Sequence, residues 1–181
     1  GYNIGQAEEL AKIATVYKNV GELESIEDAT SSIVSTIKAF KEYTNEVEAA
    51  TKAVDAFNAV GNTEAVSSAD LGEILRRSAS AMASVGSTMN ETIAIGTAAN
   101  TIVQDSAMIG TSLKTMALRL TSTKVELQDM GEETEYAAEC ISDYRDKILA
   151  LTANTASPVD ILGDDGTYKK PYEMLKEISA V

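Results

Sequence analysis

The 181 residues hold 28 acidic and 15 basic side chains, a net charge of −13, with no histidine, no tryptophan and one cysteine, Cys140. Such a chain repels phosphate backbones, which argues against direct DNA or RNA binding, while the missing histidines remove most nucleophilic triads and zinc sites and the lone cysteine forbids an internal disulfide. An apolar share of 44% against 24% charged is that of a globular chain, long enough for one core or one core plus a small appendage.

Taken in order, the apolar positions follow helical spacing. Leu10, Ile13, Tyr17 and Val20 predict a first helix over 6–20, stopped by Gly21. Ser25, three residues before Asp28, caps a second over 26–42 that carries Ile33, Ile37 and Phe40. Val47, Ala50, Val54, Phe57 and Val60 mark a third, ended by Gly61-Asn62. Ser67 and Asp70 open a fourth, with Leu71, Ile74, Leu75, Met82 and Val85 inward and Gly86 as its stop. Thr88-Met89-Asn90-Glu91 is a capping box for a fifth, whose apolar stripe reads Ile93, Ala94, Ala98, Ile102 and, less regularly, Val103. A sixth starts near Asp105 and aligns Ile109, Leu113, Met116 and Leu120.

Residues 123–131 lack periodicity and read as a connector before a seventh helix over 132–151, with Ala137, Cys140 or Ile141, Tyr144, Ile148 and Leu151 on one face. Val159 to Leu162, a Gly163-Asp164-Asp165-Gly166 turn and Thr167-Tyr168 suggest a small β-hairpin near 159–168. Pro171 suits the first turn of a last helix with Tyr172, Leu175 and Ile178, expected to be cut off at Val181. The fold expected is all-α, a bundle of about seven or eight short amphipathic helices, since a long rod would sustain heptads without such interruptions. The domains expected are a helical core over 1–125 and a helix, hairpin and truncated helix over 126–181.

No apolar run approaches the roughly 20 residues of a membrane span, and no leader pattern opens the chain. A start at Gly1-Tyr2-Asn3 without Met leads us to expect a soluble piece of something longer.

Each motif that hints at chemistry has a plainer account. Gly110-Thr111-Ser112-Leu113-Lys114-Thr115 has Leu113 where a phosphate loop needs Gly, so helix is expected. Asp160, Asp164, Asp165 and Gly166 lack the alternating ligand spacing and closing Glu of a calcium loop, so a solvated turn is expected. Cys140 has no His to activate it and reads as a small buried hydrophobe. Arg76, Arg77 and Arg119 could meet an acidic partner, but stems laid over the core with heads in water explain them as well. Asn90-Glu91-Thr92 is a chance sequon, and Glu132-Glu133 suits a helix start. No catalytic, cofactor-binding or metal residue is assigned, no cofactor is expected, and the chain is read as no enzyme.

Several blocks, in order, resemble the core of phage tail tape-measure proteins. These are Asp70-Leu71-Gly72-Glu73-Ile74-Leu75-Arg76-Arg77 with Asn90-Glu91-Thr92-Ile93-Ala94, then Val103-Gln104-Asp105 and Gly110 to Met116 with Leu118-Arg119-Leu120. Thr123-Lys124-Val125-Glu126-Leu127, Gly131 to Glu135, Val159 to Leu162, Gly166 to Lys169 and Tyr172 to Ile178 continue it, so the likeness runs from about Ala7 to Val181. The resemblance implies a structural segment of a tape-measure protein of a long-tailed phage or prophage, made in the bacterial cytoplasm and housed in the lumen of the tail tube. There it would take part in tail assembly and set tail length. It implies tail tube subunits and tail assembly chaperones as partners, leaves self-association open, and implies no membrane contact by this segment. The Trp-containing helix that follows in that family has no counterpart in this chain. The competing reading is a non-enzymatic helical interaction module, a signalling or secretion-associated bundle.

Overall fold

The structure, a computed structural model, describes residues 2–42, 45–122, 124–131, 141–155 and 157–180. Among them are α1 (Ile4–Val20), α2 (Ile26–Ala39), α3 (Glu46–Gly61), α4 (Ser68–Ser84), α5 (Met89–Val103), α6 (Ser106–Thr121), α7 (Lys124–Asp129), α8 (Ile141–Thr152) and α9 (Pro171–Ile178), with no strand. The fold is all-α, as the periodicity predicts.

Capping sets where these helices begin. Ser25 accepts from the Asp28 N–H at α2, and at α5 the Thr88 hydroxyl and Glu91 carboxylate each take the other's backbone N–H. Asp105 Oδ1 accepts from Met108 N ahead of α6. These bonds satisfy N–H groups that a helix start leaves without partners. Some details depart from expectation. α2 stops at Ala39 instead of 42, because Phe40 turns into an extended conformation (φ −92°, ψ 101°) that buries its ring. After α1 the left-handed residue is Glu22 (φ 54°), while Gly21 stays right-handed.

The described chain divides into two compact units, Gly1–Ser84 with Thr88–Lys114, and Val85–Ser87 with Thr115–Val181. In the first, α4 packs on α2, α3 and α5, and α1 lies on α2 and α3. Its core holds Tyr17, Ile33, Phe57, Leu71, Ile74, Leu75 and Met82, all buried. Two helices come close to Ile74 through glycine. A Cβ on Gly96 of α5 would stand 3.1 Å from Ile74 Cγ2, and one on Gly110 of α6 would stand 2.9 Å from the Ile74 carbonyl oxygen. Only residues without a side chain allow that approach.

The predicted stripe of α5 is corrected by its burial. Met89, Thr92, Ile93, Gly96 and Asn100 face inward, whereas Ala94 and Ala98 are exposed and Ile102 is 87% exposed. Ile93 is buried as expected, but beyond it the spacing of apolar residues chose the wrong face, because the inward one is built from Gly96, Thr92 and Asn100, which no hydrophobic pattern marks.

The second unit buries Ala117, Leu127, Val159, Ile161 and Met174. The expected connector 123–131 contains α7, a helix of 6 residues that buries Leu127 and is too short to show a repeat. Of the expected helix over 132–151, residues 132–140 lie outside the described residues and α8 supplies the rest, with Leu151 exposed rather than on a buried face. The expected hairpin reduces to one antiparallel bridge, Leu162 with Tyr168, flanked by the bonds Gly163 N to Thr167 O and Lys169 N to Ile161 O. Pro171 starts α9 three residues after Tyr168, which leaves no length for a ladder. α9 ends at Ile178 with Ser179 as its cap.

Candidate functional site

Those residues singled out from the sequence that lie among the described ones each have a structural setting. The Gly110 to Thr115 stretch lies within α6, with Gly110 against Ile74, Leu113 buried and the Thr111 hydroxyl bonded to the Ala107 carbonyl. Arg76 and Arg77 both hydrogen-bond Glu73 on their own helix. Burial raises the Glu73 carboxyl, but the bonds from the two guanidiniums outweigh it and hold the group below its ordinary range. Asn90 and Glu91 form the first turn of α5. Arg119 lies in the last turn of α6, where a cation suits the negative helix end. Cys140 and the Glu132-Glu133 pair lie outside the described residues.

The Asp-rich turn of the second unit is tied up internally. Arg145 grips Asp160 with both Nε and Nη2, at 2.9 and 2.6 Å, while the Leu162 N–H donates to Asp160 Oδ1. Together these hold the Asp160 carboxyl at about 2. Asp165 Oδ1 accepts from both the N–H and the hydroxyl of Thr167, and Gly166 takes φ +77°. Among the described residues no group of three or more Asp, Glu, Cys or His side chains is placed to hold a metal ion. None of the described helices is long and apolar enough to cross a membrane.

Among the described residues of the first unit are three concavities. One, of about 780 Å³, lies between Gly5, Glu9, Lys38 and Glu46, and its lysine is engaged by Glu46 and by the Tyr2 ring, 4.7 Å from the ammonium. A second, of about 440 Å³, is walled by Glu22, Glu24, Asp28, Asp70 and Glu73. The third, of about 520 Å³, runs between α3 and α5 and is lined by Ala56, Ala59, Val60, Ile93, Ala94, Thr97, Ala98 and Thr101, with Asn90 and Glu64. Alanines from both helices, with Thr97 and Thr101 of α5, leave a shallow and largely apolar trough, the kind of surface that packs against another apolar one. Sequence reading missed this trough by assigning Ala94 and Ala98 to the apolar stripe of α5. The absence of any charge between Thr92 and Gln104 was the signal that could have found it.

A family model described as phage-related minor tail protein matches residues 1–164. No solved structure matches the chain.

Proposed function

The chain belongs to the phage-related minor tail protein family, and on that premise we propose that it is the helical core of a tail tape-measure protein, acting inside the tail tube in assembly and length determination. Membership of a phage tail family sets aside the signalling or secretion-associated bundle as a competing reading. The observation that carries the finer role is the ordered series of tape-measure-like blocks from Asp70 to Ile178, which includes stretches of α4, α5, α6, α7 and α9 and the Val159 to Leu162 and Gly166 to Lys169 segments ahead of α9. Tail tube subunits and tail assembly chaperones are its partners on this reading, and its work is structural rather than catalytic.

A ruler measures only when extended, whereas α1 to α5 are folded back on one another. The bundle therefore serves as the state before assembly and opens when tube subunits surround it. Alanine at the buried positions Ala14, Ala29, Ala49, Ala50, Ala53 and Ala79 lowers the cost of such a change, although Tyr17, Phe57, Leu71, Ile74, Leu75 and Met82 lose their packing on opening.

The test is tail length. In the phage that encodes the chain, in-frame duplication of residues 26–120 in the parent protein is expected to lengthen tails seen by electron microscopy. The gain approaches about 1.5 Å per added residue if the tract is read as extended helix. Tails of unchanged length from a stably incorporated duplicated protein would overturn the ruler role.

A further inference from the structure

The trough between α3 and α5 has the properties of a docking groove with a polarity. α5 carries one ionised side chain, Glu91 in its first turn, the fewest of the nine helices described. Ala94 and Ala98 face solvent, Ile102 stands 87% exposed beyond them, and the Thr97 hydroxyl in the trough wall is enclosed without a hydrogen-bond partner. A helix that packs inward and still presents uncharged, small and apolar side chains outward is one with a second neighbour still to come. Small side chains along the outer face let that neighbour's backbone approach closely.

The far end of the trough is electronegative. Asn100 Nδ2 donates to the Ala65 carbonyl at 2.8 Å, which sets the C-terminal half of α5 beside the segment that follows α3. Both helices thus finish at the end where Glu64 lies, and neither last turn holds a basic residue. Two uncompensated helix C-termini, each worth about half a negative charge, add to the Glu64 carboxylate there.

We propose that this groove receives an amphipathic helix of another protein. The partner's apolar stripe seats against Ala59, Ala94 and Ala98, and a Lys or Arg near one end of the stripe meets Glu64. A second copy of the chain is the poorer occupant, since each copy brings a net charge of −13. The docking surface is independent of the ruler role, so loss of either reading leaves the other intact.

The test uses the whole chain and two synthetic helices of about 18 residues, ~27 Å long, alike in their Leu/Ala stripe but flanked by Lys in one and by Glu in the other. Titration followed by fluorescence anisotropy is expected to show the Lys helix binding at least about tenfold more tightly, with amide shift changes confined to α3 and α5. Ala98→Arg, at an exposed position, should cost at least about tenfold, and Glu64→Lys should remove most of the preference between the two helices. Shift changes spread over the acidic surface and insensitive to Ala98→Arg would overturn the proposal, leaving only general charge attraction. Concentration-dependent dimerisation of the chain alone, abolished by Ala98→Arg, would also overturn it in favour of a second copy.

Discussion

The hydroxyl of Tyr17 occupies the space where any side chain on Gly72 would have to be. A Cβ built on Gly72 overlaps the hydroxyl and comes within 3.2 Å of Tyr17 Cζ and 3.3 Å of Ser32 Cβ. The same hydroxyl donates to the Ser68 carbonyl at 2.7 Å, and the ring leans on Phe57 at 5.6 Å between centroids. One tyrosine thereby ties α1 to the start of α4 and to α3, and burial pushes its hydroxyl well above the ordinary tyrosine range, with Asp70 adding to the effect.

Gly72→Ala must displace that hydroxyl, so it loses a buried hydrogen bond as well as forcing the core apart. The expected cost is about 2–4 kcal/mol in urea unfolding, combining overpacking with an orphaned polar group. In a Tyr17→Phe background the same change should cost at least about 1 kcal/mol less, because the overlapping atom is gone. Equal costs in the two backgrounds would place the strain elsewhere.

The grip of Arg145 on Asp160 makes the second unit sensitive to acid. The bond from Arg145, helped by the Leu162 N–H, holds the carboxyl at about 2, below the ordinary value of about 3.9. A lowered carboxyl contributes stability that is complete above the unfolded-state value and is lost as pH falls through the folded one. The difference in stability between the wild-type chain and Asp160→Asn should therefore be constant from neutral pH down to about 5 and shrink between about 4 and 2. The pair is part-exposed, with side-chain exposures of 44% and 27%, so the difference is small and salt-dependent. A difference that grows on acidification would contradict this account.

Helix starts were the most legible part of the chain, and they give a prediction of their own. Ser25, Thr88 and Asp105 stand where sequence places them, because a cap is a local device read within three residues. Thr88→Ala should cost about 1 kcal/mol, measured by thermal or urea unfolding, and Asn3→Ala, at a capping box on exposed α1, about 0.5 kcal/mol. A Thr88→Ala change without effect would mean that the cap is redundant with packing of Met89, which is buried.

What sequence misread was decided by partners far along the chain. The inward face of α5 is set by Gly96 meeting Ile74 and Asn100 reaching the Ala65 carbonyl, neither of which has a periodic signature. The same long-range choice exposed Ala94, Ala98 and Ile102 and created the α3–α5 groove, so the error and the candidate site have one cause. The hairpin failed for a shorter-range reason, since the Leu162 N–H is spent on Asp160 Oδ1 and Pro171 starts a helix before strands can extend.

The proposed opening of the bundle inside a tail tube can be tested at the contact between α4 and α5. A Cβ on Gly96 would lie 4.0 Å from Ile74 Cβ, within the roughly 3.5–4.5 Å that a disulfide requires. Ile74→Cys removes the Cγ2 and Cδ1 atoms that a larger residue at 96 would strike, so Ile74→Cys with Gly96→Cys can form the bridge without further crowding. Cys140→Ser leaves no competing thiol. If α4 and α5 must separate for the chain to lie along the tube, phage carrying the oxidised pair should yield few or short tails, and reductant added during assembly should restore them. Restoration by reductant separates opening from the loss of Ile74 packing, which persists in the dithiol form. Full-length tails assembled with the crosslink quantitatively formed would show that the two helices travel into the tube together and that any extension happens elsewhere in the protein.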